Sequence, residues 1–294
     1  MSAPAPLWRS MMFVPATSDK FIAGAAKRGA DAVMLDLEDS IPPEEKQLAR
    51  TKVASASKLV GSGGSDVLVR VNQPLKLIGD DLAAVVSEQI CAIVLPKTLG
   101  AQHVALVSDL LDELEQARGL APRHTKIVAM IETADALFRM EEIAACERVV
   151  GITVGAEDLA VSMRMKVTPD SLYVPNVLAV AAARAAGKMP IGYVGTVADI
   201  DDLDQYRATI KRARALGFAG GFCVHPSQVA ILNAEFAPSP AEVEDASGLV
   251  AAFEAALAQR SGAVRYKGKM IDLPVVERAR DVLRLQARVE DRKA

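Results

Sequence analysis

The stretch Met34–Lys46, "MLDLEDSIPPEEK", joins an apolar run to a cluster of acids, two prolines and a helix-like segment. The apolar run begins at Ala32 and predicts a buried strand, close to whose end lie Asp36, Glu38 and Asp39. Crowded carboxylates repel one another unless a cation, an arginine or water offsets their charge. Alternatively, the acids only mark a helix start, where the helix dipole favours negative charge. In either case the stretch has the form of one strand–loop–helix unit.

The same strand-then-helix order recurs along the chain. Eight apolar runs are predicted as buried parallel strands: Ser10–Val14, Ala32–Leu37, Val67–Val71, Ala92–Leu95, Lys126–Ile131, Val149–Val154, Met189–Val194 and Gly220–Val224. Helical patterns lie between them: Ser18–Arg28, Glu44–Val60, Asp80–Ser87, Gln102–Arg118, Ala134–Cys146, Leu172–Ala186 and Asp199–Leu216. Eight alternating units predict an α/β fold, a (β/α)8 TIM barrel. A doubly wound sheet is the alternative, but "FVPATSDKF" after the first strand lacks its Gly-rich phosphate loop.

The last part of the chain follows a different pattern. Residues 1–235 are predicted to form the barrel and residues 236–294 a C-terminal helical extension. "FAPSP", from Phe236, has the composition of a linker, and helices are predicted over Ala241–Gln259 and Val275–Ala287. We expect this extension to pack on the barrel, on a neighbouring subunit, or on both.

Composition limits the class of protein. The 294 residues are 51% hydrophobic and carry a formal net charge of −3, with no basic stripe of the kind that binds nucleic acid. No apolar run reaches membrane-spanning length, and the N-terminus lacks the pattern of a signal peptide. Cys91, Cys146 and Cys223 have the spacing of neither a CxxC pair nor a zinc site. They are predicted to be buried free thiols, which fits a cytoplasmic protein.

The chemistry of a barrel enzyme lies at the carboxyl ends of its strands. Nearly every predicted strand here ends in polar or ionisable residues, which are rarely buried without partners. Each alone could be structural, but eight such ends would converge on one mouth. The candidate substrate-binding residues at these ends are Phe13, Arg70, Pro96, Gly155, Ala156 and Glu157.

Two of the predicted strand ends carry carboxylates that could share one metal ion. Glu132 and Asp158 follow neighbouring strands, about 4.8 Å apart. Two carboxylates with open positions suit Mg²⁺, whereas no histidine clusters with them to form a zinc site. Arg70 could hold negative charge developing on a substrate oxygen, with Glu38 and Asp39 orienting waters and Arg70 itself. These residues predict a Mg²⁺–oxyanion site.

Eight motifs give the chain a resemblance to a known family. They are "MMFVPATSDKF", "ADAVMLDLEDSIPPEEKQLAR", "VLVRVN", "IVLPKT", "AMIETADAL", "VGITVGAEDLA", "GFCVHPSQVAILNAEFAPSPAEVEDA" and "YKGKMIDLPVVERA". In this order they resemble the citrate lyase β-subunit-like and malyl-CoA lyase family of the HpcH/HpaI aldolase superfamily. The resemblance covers about Leu7 to Leu285.

The resemblance implies a Mg²⁺-dependent lyase that reversibly cleaves a carbon–carbon bond in a 3-hydroxyacyl-CoA such as citramalyl-, malyl- or citryl-CoA. It implies that Glu132 and Asp158 bind the metal and that Arg70 binds substrate. It also implies that Asp272, in "GKMIDLP", is a catalytic acid supplied by a neighbouring subunit, and therefore a homotrimer or hexamer.

The sequence departs from the family where other members place basic groups for the CoA phosphates. The first loop reads Ala16–Thr17–Ser18–Asp19, helix 1 has Gly24 near the usual lysine position, and only Lys20 and Lys27 are close. An aldolase acting on a free acid without CoA is therefore one alternative. A Schiff-base aldolase that uses Lys97, and a β subunit active only within a multi-subunit complex, are others.

Overall fold

The computed structural model describes residues 6–196 and 202–292. The chain divides into two compact units, Met1–Asn233 and Ala234–Ala294.

The first unit is built on eight parallel strands that follow one another around a barrel. They are β1 (Ser10–Pro15), β2 (Ala32–Asp36), β3 (Asp66–Arg70), β4 (Ile90–Leu95), β5 (Lys126–Ile131), β6 (Val149–Val154), β7 (Met189–Ile191) and β8 (Gly221–Cys223). Neighbours pair in the order β7-β6-β5-β4-β3-β2-β1-β8. A parallel bridge between Ile191 and Gly220, with a 2.8 Å hydrogen bond from Gly192 N to Gly220 O, nearly closes the ring. The predicted (β/α)8 barrel is confirmed.

The interior of the barrel is filled by alternate residues of its strands. Side chains two apart on a strand face the same side, so Ala32 and Met34 both point inward from β2. Small and flexible residues interdigitate there with larger ones, as close packing requires. The inward set comprises Trp8, Met11, Ala32, Met34, Leu68, Ala92, Val94, Val128, Met130, Met189, Ile191 and Phe222.

The helices of this unit connect successive strands, except the last, which follows β8. They are α1 (Asp19–Ala25), α2 (Lys46–Gly61), α3 (Leu75–Val85), α4 (Ala101–Ala117), α5 (Ala134–Leu137), α6 (Met140–Ala145), α7 (Ala156–Met163), α8 (Pro169–Ala185), α9 (Leu203–Ala215) and α10 (Pro226–Glu235), with a 3₁₀ turn at Pro43–Glu45. Capping side chains fix several starts. Thr168 accepts a hydrogen bond from Ser171 N ahead of α8, and Asp202 accepts one from Gln205 N ahead of α9.

Several predicted bounds need correction. The helix predicted over 134–146 is two helices, because Arg139 leaves helical geometry at φ −111° and ψ 6°. The seventh strand ends at Ile191 rather than Val194, because Gly192 has a φ of +135°. The helix predicted from Asp80 begins at Leu75, directly after Pro74. The helices α7 and α10 were not among the predicted helices. The predicted start of the ninth helix, Asp199, lies outside the described residues.

The second unit is a helical pair with a small hairpin. It contains α11 (Pro240–Ala258), β9 (Val264–Tyr266), β10 (Lys269–Ile271) and α12 (Leu273–Asp291). Ser239 and Glu242 form a reciprocal capping box at the start of α11. The apolar faces meet in one cluster of Ala246, Leu249, Phe253, Ile271, Val276 and Ala279. The helical extension predicted at the C-terminus is therefore present, and its packing partner stays a prediction.

The structure bears on membrane-spanning segments and on the three cysteines. Within residues 6–196 and 202–292, every helix is too short or too polar to cross a bilayer. The three cysteines are free thiols, but only Cys223 is buried; Cys91 and Cys146 are partly exposed. The prediction that all three are buried is wrong, because Cys91 lies near the start of β4, where its pairing with β3 shifts register, and Cys146 is the C-cap residue of α6.

Candidate active site

A cavity of about 780 Å³ opens at the carboxyl ends of the strands. Its wall combines acidic, basic and apolar residues, as in most small-molecule sites. The wall residues at strand ends include Phe13, Asp36, Asp39, Arg70, Glu132, Thr153, Gly155, Ala156, Glu157, Asp158, Tyr193 and His225.

Arg70 and Asp36 form a buried, two-pronged ion pair in this wall. The two residues stand opposite each other in the β2–β3 register. Arg70 Nε lies 2.7 Å from Asp36 Oδ1, and Nη2 lies 2.8 Å from Oδ2. Burial raises the pKa of Asp36, but the hydrogen bonds and charge of Arg70 outweigh it, so this pKa lies below its usual range. The pairing fixes the plane of the guanidinium, because both of its bonds are short and parallel.

The other acids of the opening stretch also face Arg70. Glu38 is buried, and its Oε2 lies 2.8 Å from Arg70 Nη1. Asp39 is exposed and lies 3.5 Å from the same nitrogen. The guanidinium also stacks over the Phe13 ring, with its carbon 5.0 Å from the ring centroid. The carboxylates are therefore not left to repel one another, since one arginine contacts all three.

The two predicted metal ligands lie on the same cavity. Glu132 follows β5 and is 3% exposed, while Asp158 lies in the first turn of α7. Burial raises the pKa of Glu132 to about 7, with Glu38 and Asp158 adding to the rise and Lys97 opposing it. Gly155 makes room for this carboxylate, because a Cβ at Gly155 would lie 2.2 Å from Glu132 Oε1.

Lys97 connects these acids. Its backbone N donates to Glu132 Oε2 at 2.5 Å, and its ammonium lies 2.8 Å from Glu38 Oε1 and 3.1 Å from Asp158 Oδ2. Burial lowers the pKa of Lys97, but Glu38 and the other acids outweigh it, so this pKa is raised. A Schiff-base lysine must lose its proton before it attacks a carbonyl, so this environment opposes the Schiff-base alternative.

The cavity reaches outward to α1 and the residues after it. Lys20 and Arg28 bring two positive charges to the wall, and Phe21, 56% exposed, adds an apolar surface. Gly24 also lines the cavity, and a Cβ there would meet nothing within 4 Å. This end of the cavity can accept an elongated ligand that carries negative charge.

The cavity brings most of the predicted site residues together. Phe13, Asp39, Arg70, Glu132, Gly155, Ala156, Glu157 and Asp158 line it, and Glu38 joins them through its contact with Arg70. Pro96 is buried and is not among the described residues of the wall. Asp272 belongs to the second unit, where it stands at the N-cap position of α12 without a capping side-chain hydrogen bond.

Three contributors escaped the sequence reasoning. Asp36, rather than Glu38 or Asp39, is the principal partner of Arg70. Arg28, rather than Lys27, is the second basic residue of the wall. Lys97, a candidate nucleophile in the sequence, pairs with acids. Alternation could have identified Asp36, because it continues the inward series Ala32, Met34 along β2.

Comparison with known proteins places this architecture in a family. The family model described as HpcH/HpaI aldolase/citrate lyase matches residues 9–226. The citrate lyase subunit beta of Leuconostoc mesenteroides subsp. cremoris is 34% identical over 284 residues, covering 95% of this chain and 93% of its own. The L-malyl-CoA/beta-methylmalyl-CoA lyase of Rhodobacter capsulatus is 32% identical, covering 96% of this chain and 95% of its own.

A solved structure adds a neighbour with bound ligands. It is the protein CitE from Mycobacterium tuberculosis in complex with magnesium, acetoacetate and coenzyme A. It is 26% identical, with a TM-score of 0.75, and the match covers 97% of this chain and 99% of that one. The family model matches residues 9–226, and the two curated relatives match nearly the whole chain. The chain therefore belongs to the HpcH/HpaI aldolase/citrate lyase family and is a lyase.

Proposed function

We propose that the protein is a Mg²⁺-dependent carbon–carbon lyase that reversibly cleaves a 3-hydroxyacyl-CoA, such as citramalyl-, malyl- or citryl-CoA, into an acyl-CoA and an oxo acid. The observation that carries the proposal is the meeting of buried Glu132, Asp158 and the fixed Arg70 guanidinium on one cavity. The relatives support it, since one is named a malyl-CoA lyase and others are citrate lyase β subunits.

The donor set fits magnesium. Glu132 and Asp158 supply hard oxygen ligands from neighbouring strand ends and leave positions open for water and substrate. Gly155 leaves the space in which the Glu132 carboxylate lies. When bound there, Mg²⁺ would act as a Lewis acid that polarises a substrate oxygen.

Arg70 has the geometry to stabilise a developing oxyanion. Asp36 fixes the plane of its guanidinium, and Phe13 supports its face. A guanidinium carries five N–H groups, and Asp36, Glu38 and Asp39 occupy four at most. The remaining N–H is available to an oxygen that becomes negative as the carbon–carbon bond breaks. A donor held in place beforehand needs no reorganisation during the reaction.

The length and charge of the cavity support a CoA thioester over a small free acid. About 780 Å³ exceeds what a small hydroxy-oxo acid needs, and Lys20 and Arg28 could pair with phosphate groups. These residues stand in for the basic groups that the sequence lacks at the usual positions. The neighbour solved with coenzyme A supports the same assignment.

We further propose that the protein is a homo-oligomer, a trimer or hexamer, in which Asp272 acts as general acid or base in a neighbouring chain's site. A second candidate function is that of a β subunit active only with partner subunits. It is favoured by the 34% identity to a citrate lyase subunit beta.

A coupled assay of acyl-CoA release tests the function across a panel of hydroxyacyl-CoA thioesters with Mg²⁺. We expect turnover of at least one thioester by the lone chain, loss of turnover in EDTA, and no reaction with the free hydroxy acids. Glu132→Ala should abolish turnover while circular dichroism stays unchanged. Near-normal activity of Glu132→Ala would contradict the proposed metal site. Activity only with free acids, or only after partner subunits are added, would favour an alternative function.

A further inference from the structure

Lys97 has an unusual backbone and an unusual set of contacts. Its φ of +46° lies in the left-handed region, which few non-glycine residues adopt. In this conformation its backbone N–H points at Glu132, and its side chain reaches both Glu38 and Asp158. One residue therefore contacts both proposed metal ligands and a third carboxylate.

We propose that Lys97 is a tethered cation that pairs with Asp158 in the metal-free protein and leaves it when a divalent ion binds. The proposal rests on the metal site argued above. Without a cation, the buried carboxylates of Glu132 and Glu38 would lie close to the carboxylate of Asp158, and like charges would repel. The ammonium offsets that repulsion.

The geometry also provides a place for the ammonium to go. Lys97 Nζ already lies 2.8 Å from Glu38 Oε1, a shorter distance than the 3.1 Å to Asp158 Oδ2. The lysine stem is flexible, so a small rotation can leave the ammonium on Glu38 alone. Meanwhile the backbone N–H of Lys97 can keep its bond to Glu132 Oε2, because that contact does not depend on the side chain.

If a divalent ion replaces the Lys97 ammonium at Asp158, then Lys97 should weaken divalent-ion binding. A metal must displace the ammonium from Asp158, and it then stands close to a second positive charge. Removing the ammonium should therefore tighten binding, although it removes a contact of a metal ligand. If Lys97 instead orders Asp158 for the metal, its removal should weaken binding.

Titration of the purified, metal-free protein with Mn²⁺, followed by calorimetry and by electron paramagnetic resonance, separates these two outcomes. Lys97→Met keeps the stem and the backbone N–H, and we expect it to bind Mn²⁺ roughly tenfold more tightly than the wild type. Lys97→Gly, which suits the left-handed backbone, should do the same. Lys97→Arg keeps the charge and should bind like the wild type. Lys20→Met removes a lysine from the cavity that Glu132 and Asp158 line, and it should leave Mn²⁺ affinity unchanged.

Thermal unfolding provides a second readout. Metal-free Lys97→Met should melt below the wild type, and saturating Mn²⁺ should raise its melting temperature by more than it raises that of the wild type. Unchanged or weaker Mn²⁺ binding by both Lys97→Met and Lys97→Gly would overturn the proposal that a divalent ion displaces the Lys97 ammonium from Asp158. The metal site itself is tested separately by Glu132→Ala. If that variant binds Mn²⁺ as tightly as the wild type does, Glu132 is not a metal ligand and the metal site of the proposed function is wrong.

Discussion

Gly155 follows β6, and its backbone lies close to Glu132, the proposed metal ligand that follows the neighbouring strand β5. Its φ of −85° is accessible to any residue, so no backbone strain demands a glycine there. The lack of space does demand a glycine, because a Cβ at position 155 would lie 2.2 Å from Oε1 and 2.5 Å from Cγ of Glu132. A carboxylate can move aside more cheaply than backbone can. The cost of a larger residue should therefore fall on the site rather than on the fold.

The variant Gly155→Ala tests this reasoning. We expect the methyl group to push the Glu132 carboxylate out of place, so that turnover and Mn²⁺ affinity each fall at least about tenfold. The melting temperature should change little. Both quantities can be measured on the same preparation, by the acyl-CoA release assay and by calorimetry.

A matched control is Gly79→Ala in α3, where a Cβ would meet nothing within 4 Å. It should bind Mn²⁺ like the wild type. The steric account is wrong if Gly155→Ala retains wild-type Mn²⁺ affinity, or if both variants lose it equally.

Residue types and order predicted that Glu132, Asp158 and Arg70 would lie at one mouth, and these residues do line one cavity, but they did not single out Asp36 or predict which acid pairs with Arg70. Glu132 and Arg70 both continue inward-facing series, after Val128 and Met130 on β5 and after Leu68 on β3. The alternation of side chains along a strand therefore predicts that Glu132 and Arg70 face the inside of the barrel. The contacts of Lys97 depend on its left-handed backbone conformation, which no simple sequence pattern predicts for a lysine. The role of Gly155 depends on a distance between strands, which the order of residues cannot supply.

At the scale of elements, the two ends of the strands carry different kinds of charged group. The start of β6 holds Arg148, 3% exposed, which pairs with Glu115 of α4 at 2.7 Å and donates to Thr125 O at 2.8 Å. Glu115 also accepts the backbone N–H groups of Arg123 and Thr125. Burial raises the pKa of Glu115, but Arg148 and these N–H groups outweigh it and hold the pKa below its usual range. Charged groups at this end tie helices to strands.

Arg148→Met should therefore affect stability. It leaves Glu115 buried without its cation, and breaking a buried pair in this way typically costs about 3–5 kcal/mol. We expect a loss of that order in the free energy of unfolding at pH 7, measured by urea titration. Since the pKa of Glu115 is depressed in the folded state, the contribution is present above its unfolded pKa. It should fade as the pH falls through the folded one.

The same substitution at an exposed pair is the control. Arg139 pairs with Asp135 four residues earlier, and both side chains are largely exposed. Arg139→Met should cost less than about 1 kcal/mol. Equal losses in the two variants would show that burial of the Arg148 pair is not what makes it stabilising.

Element order was predictable because each strand and helix has its own periodicity, whereas element ends depend on local geometry. The seventh strand was predicted three residues too long, since Tyr193 and Val194 are apolar although Gly192 has already left the strand. The helix α7 went unpredicted because it is short and begins among the acids Glu157 and Asp158. Their position after a strand suggests site residues, and they also form the first turn of a helix, where the helix dipole favours acids.

In the molecule as a whole, one predicted site residue, Asp272, belongs to the second unit. Asp272 is exposed at the start of α12, between Ile271, which is buried in that unit's core, and exposed Leu273. Its backbone oxygen accepts N–H groups of the first helical turn, but its side chain makes no capping hydrogen bond. A purely structural cap would be expected to make one. The carboxylate is therefore free of the local role that its position suggests.

Complementation tests the proposal that Asp272 serves the site of a neighbouring chain. Arg70→Ala and Asp272→Ala should each be inactive as pure proteins, because each lacks one group that the reaction needs. In a mixture whose subunits exchange, some sites would combine an intact Arg70 from one chain with an intact Asp272 from another. We expect partial recovery of acyl-CoA release, up to about a quarter of wild-type turnover if chains mix at random and each site takes Asp272 from a single neighbour.

Subunit exchange is monitored with two fluorescent labels. The control is a mixture of Arg70→Ala with Glu132→Ala, which should stay inactive because both residues belong to the same barrel. If the first mixture also stays inactive although the labels exchange, Asp272 does not act in trans.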